Sequence, residues 1–178
     1  MPIAPTPSAP ASPVPATSPD RFKPSITVAA VIEDAGRYLL VEEMTRDGLR
    51  LNNPAGGIEP GESPLEGAIR EALEETARPF TPHALLGIYL ARNPLNATGR
   101  GITYLRFAFC GVAGDPVPGR ALDSPIVRTL WMTPDEIRAE RHRLRGPLVL
   151  ACIEDHLRGR RYPLDTIYTD PSVYSNGP

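Results

Sequence analysis

The segment between Gly56 and Glu75 limits what this chain can fold into, because it joins a glycine-rich loop directly to an acidic helix. Its sequence is GGIEPGESPLEGAIREALEE. Glycines and Pro60 are typical of a tight loop whose backbone a ligand can approach closely. Ser63 predicts the helix N-cap, with Pro64 at the first helical position and Glu66 completing a capping box. The segment therefore predicts a ligand-facing loop followed by a helix.

The helical part of this segment predicts two faces of opposite character. At roughly 100° per residue, Glu71, Glu74 and Glu75 share one side, where like charges repel by about 0.2–0.5 kcal/mol per pair. A cation would relieve this repulsion, and clustered carboxylate oxygens suit Mg²⁺ or Mn²⁺. A solvated acidic face is the common alternative, but it leaves the loop glycines and Glu62 unexplained. The opposite, apolar side is expected to contain Leu65, Ile69, Ala72, Leu73 and Thr76.

The spacing of these residues resembles the Nudix box. In this chain the box residues are Gly56, Glu62 after five further residues, Arg70-Glu71 after seven more, and Glu74-Glu75. The resemblance implies a hydrolase of diphosphate linkages with an α+β fold, a Nudix-type α/β/α sandwich with a mixed sheet. Ala77 and Arg78 depart from the box, which has a glycine and an aliphatic residue there. Both follow the helix, so we expect them to affect its C-cap and not the carboxylates.

The resemblance also implies roles for the box residues. Glu71, Glu74 and Glu75, together with the carbonyl of Gly56, would bind Mg²⁺ or Mn²⁺ as the cofactor. Either Glu71 or Glu74 would take the proton of the attacking water. Arg70 would orient a glutamate by ion pairing. The alternative from another functional class is a silent domain that binds nucleotides as a sensor, but such domains usually lose a box glutamate, and here all are present.

Segments outside the box resemble the phosphatase NudJ group of the same family. That group is associated with removing the terminal phosphate of nucleoside tri- and diphosphates and of the pyrimidine pyrophosphate precursor of thiamine. The implied partner is thus a small-molecule phosphate or diphosphate. Within the family, the alternative is a housekeeping pyrophosphatase that releases diphosphate or a nucleoside monophosphate. The similar segments are 22–32, 40–43, 52–63, 104–107, 144–149 and 161–164.

Four residues outside the box are candidates for binding such a substrate. Arg106 lies in a predicted strand, and an arginine within an otherwise apolar sheet needs a partner, either a phosphate or a buried glutamate. Arg145, Arg161 and Tyr162 match the NudJ-like segments and could reach the leaving group from the C-terminal side. Planar guanidinium groups suit phosphate oxygens better than lysine does.

Two polar loop residues are further candidates, each with an alternative explanation. Asn53, which follows Asn52 before the glycine loop, could read the edge of a base, although turn chemistry explains it nearly as well. Asp123 precedes a predicted strand, at a place where Nudix enzymes often supply one more carboxylate. A turn-forming aspartate is an equal alternative there.

The remaining pattern predicts one folded domain, at residues 21–168. Residues 1–20 contain seven prolines and one charged side chain, which predicts a disordered tail, and residues 169–178 are expected to form a flexible one. Helices are predicted to start after Thr133 and to cover residues 147–157. Strands are predicted at residues 25–32, 37–44, 49–52, 84–91, 103–112 and 126–132.

Composition argues against several classes of partner. The net charge of −2 and an aromatic content of 6% do not favour binding to nucleic acid. No apolar run is long enough to span a membrane. Cys110 and Cys152 are too few for a disulfide framework or a zinc site, so we expect a reduced, cytoplasmic compartment. A monomer and a homodimer are both compatible with the sequence.

Overall fold

The computed structural model of the chain describes residues 22–93 and 101–175. The tail predicted at residues 1–20 lies outside these residues. Among the residues that the structure describes, no helix is both long and apolar enough to cross a membrane. The thiols of Cys110 and Cys152 are buried and unpaired.

The strands and α-helices of the described residues follow the predicted order, with one additional strand. Strand β4 (Ala55–Gly57) replaces part of the predicted loop. Glycine is depleted in strands, so no local pattern predicts β4, which forms by pairing with a distant strand. The strands are β1 (Ser25–Asp34), β2 (Arg37–Thr45), β3 (Gly48–Asn52), β4, β5 (Phe80–Asn93), β6 (Ile102–Ala113) and β7 (Ile126–Met132). The α-helices are α1 (Pro64–Thr76), α2 (Pro134–Ala139) and α3 (Pro147–Leu157).

The strands form one mixed sheet. Its central order is β3-β2-β1-β6-β5, while β4 also pairs with β1 and β7 pairs with β2. β1 and β6 run parallel, with Thr27 opposite Arg106, and the other pairs are antiparallel. A mixed sheet with few helices confirms the predicted α+β class.

Alternate residues of β1 pack into two apolar cores, one on each face of the sheet. Ala29 and Val31 belong to the core that also contains residues of α2 and α3. Val28, Ala30 and Ile32 belong to the core that contains residues of α1. Because both faces of β1 are covered, its apolar run is continuous and does not alternate. Helices flank the sheet on both sides, which confirms the predicted α/β/α sandwich.

Helix α1 buries the predicted apolar face in part: Ala72 and Thr76 are buried, and Leu65 and Ile69 pack partly buried against the core. Its buried residues are the small ones, Gly67, Ala68, Ala72 and Thr76. The larger apolar residues are only partly covered, namely Leu65, Ile69 and Leu73. Small side chains let the helix lie close to the sheet. The box carboxylates are not on a solvated face either, because β4 and the loop before α1 cover them: the side chains of Glu71 and Glu74 are 13% and 28% exposed.

Helix α1 ends where the chain departs from the Nudix box. Ala77 is the C-cap, with a left-handed φ of 54°, and its N–H donates to the carbonyl of Leu73 at 3.0 Å. Glycine is the usual residue in this conformation, and an alanine there costs about 1 kcal/mol. The departure therefore affects the helix exit.

The segment after residue 168, expected to be flexible, contains a single turn of 3₁₀ helix at Pro171–Tyr174. Asp170 caps this turn by accepting a hydrogen bond from the N–H of Ser172 at 2.9 Å. The hydroxyl of Tyr174 donates to the carboxylate of Glu66 at 3.0 Å. The C-terminal segment thus contacts the first turn of α1, and its flexibility stays a prediction.

Candidate active site

The loop before α1 is fixed by hydrogen bonds among its own residues. The Ser63 hydroxyl accepts from the N–H of Glu66 at 3.2 Å, and the Glu66 carboxylate accepts from the N–H of Ser63 at 2.7 Å, as the capping box requires. The Glu62 carboxylate accepts from the N–H of Glu59 at 2.7 Å. Gly61 has a left-handed φ of 87°, which favours glycine. These contacts hold Glu62 beside the helix.

Strand β4 brings the box glycine against helix α1. Gly56 is paired with Val28, and Gly57 with Thr27. A Cβ atom on Gly56 would overlap the carboxylate of Glu71, so only glycine allows the strand and this carboxylate to lie so close together. A Cβ atom on Gly57 would meet nothing within 4 Å. The packing of the site therefore requires glycine at position 56 but not at position 57.

The guanidinium of Arg70 lies at the centre of the carboxylates. Its Nε and Nη2 donate to Glu62 at 2.9 and 2.7 Å. Its Nη1 donates to Glu71 at 2.9 Å and to Glu74 at 3.0 Å, while Nη2 also donates to the carbonyl of Gly57 at 2.9 Å. The hydrogen bonds with Glu62, and then those with Glu71 and Glu74, raise the pKa of Arg70. Arg70 thus connects the loop, β4 and the helix.

Glu75 and Glu71 lie in surroundings that oppose their ionisation. The Glu75 carboxylate accepts a hydrogen bond from the N–H of Ala55 at 2.8 Å. Burial raises the pKa of Glu75 to about 8, and the charges of Glu71 and Glu43 contribute to the rise. Burial also raises the pKa of Glu71, although the hydrogen bond from Arg70 opposes it. The cluster is therefore short of positive charge.

A divalent cation would supply the positive charge that the carboxylate cluster lacks. The guanidinium of Arg70 donates to three carboxylates, those of Glu62, Glu71 and Glu74, while Glu75 accepts only from the N–H of Ala55 among the described residues. Carboxylate oxygens are the donors that Mg²⁺ and Mn²⁺ prefer. Among the described residues, no three His, Cys, Asp or Glu side chains are arranged to hold a metal ion as they stand. The donor set fits the metal, and Arg70 occupies the middle of the cluster.

A cavity of about 370 Å³ adjoins the carboxylate cluster at β4. Ala55, Gly56 and Gly57 form part of its wall, so the cavity and the cluster share this strand. The start of α3 forms another part of the wall, at Gly146–Val149. The polar residues lining the cavity include Thr27, Glu43, Asn52, Tyr104, Arg106 and Arg145.

Arg106 places a partly buried cation at this cavity. Its neighbours across the sheet are Tyr89 on β5 and Thr27 on β1. Within residues 22–93 and 101–175, its buried Nε and Nη1 have no hydrogen-bond partner, nor does the hydroxyl of Thr27. Burial lowers the pKa of Arg106. An unpaired guanidinium inside a protein is costly, which favours an anionic ligand as its partner.

Arg145 is held at the cavity by two strands. Its N–H donates to the carbonyl of Leu51 at 2.8 Å, and its guanidinium lies 3.6 Å from the carboxylate of Glu43. Glu43 also accepts from Asn52 at 3.2 Å. Sequence analysis did not assign Glu43 to the site. A signal for Glu43 is nevertheless present in the sequence. Glu42 and Glu43 are neighbours in a predicted strand with an apolar centre, and successive side chains of a strand face opposite sides of the sheet. The two carboxylates therefore cannot both lie on one solvent-facing side.

Two of the predicted substrate residues lie away from the cavity. Arg161 donates to two backbone carbonyl groups at and beyond the end of α3. Tyr162 exchanges backbone hydrogen bonds of 2.8 and 2.9 Å with Leu85, which is several residues along β5 from Arg92 at the cavity. The structure does not bring Arg161 and Tyr162 to the site, because the chain after α3 turns to pair with the first half of β5.

The two predicted loop residues lie near the site but outside the cavity wall. Asn53 is buried next to β4, and its side-chain nitrogen and oxygen have no partner in the described parts of the chain. Asp123 is exposed, and its N–H donates to the carbonyl of Glu74 at 3.0 Å. Its charge contributes to the raised pKa of Glu75, after burial as the main cause. Asp123 therefore belongs to the surroundings of the carboxylate cluster.

The fold and this arrangement of glycine, arginine and glutamates define a Nudix hydrolase, and comparison with known proteins identifies the same family. The family model of the NUDIX domain matches residues 21–151. The chain belongs to the Nudix family, whose enzymes hydrolyse diphosphate linkages of small phosphate compounds.

Similar proteins are known from several bacteria. Phosphatase NudJ of Escherichia coli K12 is 34% identical over 146 residues, which are 82% of this chain and 92% of that protein. A solved NUDIX hydrolase from Nitrosomonas europaea is 49% identical, with a TM-score of 0.76, and the match covers 83% of this chain and 98% of that one. The bifunctional NMN adenylyltransferase/ADP ribose pyrophosphatase of Francisella tularensis, complexed with AMP and a Mn ion, is 20% identical with a TM-score of 0.55, over 78% of this chain and 42% of that one. This last likeness shows the fold alone.

Proposed function

We propose that this chain is a metal-dependent phosphatase that removes the terminal phosphate of nucleoside tri- and diphosphates and of the pyrimidine pyrophosphate precursor of thiamine. The similarity to phosphatase NudJ over most of the chain supports the phosphatase reaction. The observation that carries the proposal is the position of β4. This strand lies between an acidic cluster that suits a metal-bound phosphate and a cavity. In the part of the chain that the structure describes, the cavity is lined by Arg92, Arg106 and Arg145 and by one carboxylate, that of Glu43.

The residues of the acidic cluster would hold the metal and the attacking water. Glu71, Glu74 and Glu75, with the carbonyl of Gly56, are the ligands that the box assigns to Mg²⁺ or Mn²⁺. The ion supplies Lewis acidity at the terminal phosphate and makes water a better nucleophile. Glu71 and Glu74 are the two candidates for the base that takes the water's proton. Arg70 fixes the orientation of both, since its Nη1 donates to each of them.

The remainder of the substrate would occupy the cavity. Its volume of about 370 Å³ lies within the range of small-molecule sites. Arg106 and Arg145 would bind the inner phosphate, because a guanidinium can donate two parallel hydrogen bonds to phosphate oxygens. Glu43 keeps Arg145 in place at 3.6 Å. Holding the inner phosphate here leaves the terminal phosphate on the side of the carboxylates.

A product assay tests this function. The protein is incubated with a nucleoside triphosphate and Mg²⁺, and an early time point is separated by chromatography. We expect inorganic phosphate together with a nucleoside diphosphate, followed later by the monophosphate. Pyrimidine pyrophosphate, assayed in the same way, should also release phosphate. Monophosphate and inorganic diphosphate without a nucleoside diphosphate intermediate would instead assign the pyrophosphatase reaction, and binding without turnover would indicate a sensor.

A further inference from the structure

The start of α3 is a helix N-terminus without a side-chain cap, and it faces the cavity. The N-cap residue is Gly146, which has no side chain to accept a hydrogen bond. The next residue, Pro147, has no N–H. The N–H of Val149 makes only a long bond of 3.4 Å, to the carbonyl of Gly146. A helix of 11 residues carries partial positive charge at such an end, where its free N–H groups can bind an anion.

A second observation, the unpaired hydrogen-bond donors of Arg106 and Thr27, also indicates an anion in this cavity. Arg106 lines the wall together with Gly146–Val149. Its Nε and Nη1 are fully buried and have no partner among the described residues. The neighbouring hydroxyl of Thr27, opposite Arg106 in the sheet, is also buried and unpaired within those residues. A ligand that accepts several hydrogen bonds would satisfy all of these groups.

The other charged residues of the cavity do not neutralise the positive charge of Arg106. Among the described residues that line the wall, Glu43 is the one acidic residue. That carboxylate already faces the guanidinium of Arg145 at 3.6 Å and accepts from Asn52 at 3.2 Å. Arg92 adds a further cation at the wall. The charge left for a ligand to neutralise is therefore positive.

We propose that Arg106 and the first turn of α3 form an anion site for a phosphate monoester, the phosphate that stays on the product after the terminal one is removed. The assignment of this phosphate rests on the proposed phosphatase function, whereas the site itself depends only on the cavity. The site lies across β4 from the carboxylates. A diphosphate bound with its inner phosphate here would present its outer phosphate to Glu71 and Glu74, and the monophosphate product would continue to bind after the reaction.

Gly146 offers a sharp test, because a carboxylate can be added at the N-cap without a steric clash. Its φ is −177°, an extended conformation that any residue adopts, and a Cβ atom would meet nothing within 4 Å. In Gly146→Asp the new side chain would cap α3 and occupy the N–H groups that the anion needs. We expect a melting temperature equal to or above that of the wild type, together with an at least tenfold weaker affinity for a nucleoside monophosphate. If Gly146 had only a structural role, the substitution would not weaken binding of the monophosphate while leaving the melting temperature unchanged or higher.

Calorimetric titration with a nucleoside monophosphate and with inorganic phosphate, in the presence of EDTA, provides the measurement. Without metal, the acidic cluster repels both probes, so binding reports on the cavity. We expect saturable binding to the wild type, tighter for the monophosphate than for inorganic phosphate. Ala139→Asp adds the same charge on the exposed end of α2, away from the cavity wall, and should change the affinity by less than twofold. Arg106→Lys, which keeps the charge but loses the planar fork, should weaken binding at least fivefold.

The results that would overturn the site are distinct from those that would overturn the proposed function. Absence of binding to the wild type, or equal binding by Gly146→Asp and Ala139→Asp, would show that no anion site exists at α3. Tighter binding of inorganic phosphate than of the monophosphate would show that the site does not hold the product's phosphate. Phosphate release is measured separately with Mg²⁺ and wild-type protein, so a failure there leaves the binding result intact.

Discussion

The carboxylate of Glu71 lies in the space that a side chain at position 56 would occupy, directly against the backbone of Gly56. The glycine of the box is therefore needed for close approach and not for an unusual backbone angle, since the left-handed glycine of this loop is Gly61. Helix α1 and strand β4 are fitted together at this contact. Any side chain at position 56 must displace a glutamate that we place at the metal.

Gly56→Ala should therefore remove most activity. The added methyl group overlaps the Glu71 carboxylate, which has to move away from the cluster. We expect kcat to fall by about 100-fold or more, because a displacement of about 1 Å in a catalytic group is enough for such a loss. The matched control is Gly57→Ala, one residue along the same strand, where a Cβ atom meets nothing within 4 Å and kcat should stay within about threefold of wild type. Similar losses in both variants would contradict a specific role of the Gly56–Glu71 contact.

Arg70→Lys should weaken the site although it keeps the charge. Arg70 makes hydrogen bonds to Glu62, Glu71, Glu74 and the carbonyl of Gly57 at once. A lysine has three donors on one atom and cannot reach all of these acceptors. We expect kcat/KM to fall by about 10- to 100-fold, as for other residues that orient metal ligands. The Mg²⁺ concentration for half-maximal activity should rise in parallel.

The control for this change is Arg78→Lys, just after the helix, where the guanidinium donates to the carbonyl of Gly114 outside the cluster. Its activity and Mg²⁺ requirement should match the wild type. An unchanged Mg²⁺ requirement in Arg70→Lys would show that Arg70 acts on the fold alone.

Activity should require Mg²⁺ or Mn²⁺ and disappear with excess chelator. Glu74→Gln and Glu75→Gln should each lower kcat by about 100-fold or more, since an amide cannot replace a carboxylate ligand or base. Glu59→Gln is the control, because that carboxylate is 67% exposed and only reaches Arg70 at 4.0 Å. The sequence predicts that both glutamates face away from the core. The Glu75 carboxylate, however, accepts a hydrogen bond from the N–H of Ala55 and so contributes to the packing of β4. The melting temperature of each variant must therefore be measured together with kcat. Full turnover with chelator present would overturn the metal assignment.

Glu42 should make the free energy of unfolding depend on pH in the acidic range. It is 2% exposed, and its carboxylate accepts hydrogen bonds from Arg128 at 2.7 Å and from Arg143. The hydrogen bond with Arg128 is the main cause that lowers the pKa of Glu42 below its ordinary value of 4.5. A carboxyl group whose pKa is lower in the folded than in the unfolded state stabilises the fold above pH 4.5 and loses that contribution as the pH falls through its folded pKa.

Glu42→Gln should therefore cost about 1–3 kcal/mol in the free energy of unfolding at pH 7. The difference from wild type should shrink below about pH 4.5, where the unfolded wild-type carboxyl is protonated. Urea denaturation at a series of pH values measures it. Glu140→Gln, which removes a more exposed partner of Arg143, should change stability by less than about 1 kcal/mol at any pH. A cost for Glu42→Gln that does not vary with pH would contradict the ionic role.

Most of the secondary structure could be predicted because its signals are local. The capping box of Ser63 and Glu66 predicted the start of α1, and β1, β2 and β3 were predicted to within two residues of their observed ends. Strand β4 could not be predicted, since glycines carry no strand signal and the strand exists only through its pairing with β1. For the same reason the burial of the box carboxylates could not be predicted, because an ideal helical wheel does not include β4, which lies against the carboxylate of Glu71.

The sequence by itself determined the chemical groups of the acidic cluster. The glycine loop and the four glutamates lie within one short segment, so their spacing can be read directly from the sequence. Which of the more distant residues join that segment was decided by the tertiary structure. The parallel pairing of β1 with β6 places Arg106 beside Thr27, and the packing of α3 brings its free N-terminus to the same cavity. The pairing of Tyr162 with Leu85 takes Arg161 away from it. These positions depend on contacts between residues far apart in the chain, which no local pattern specifies.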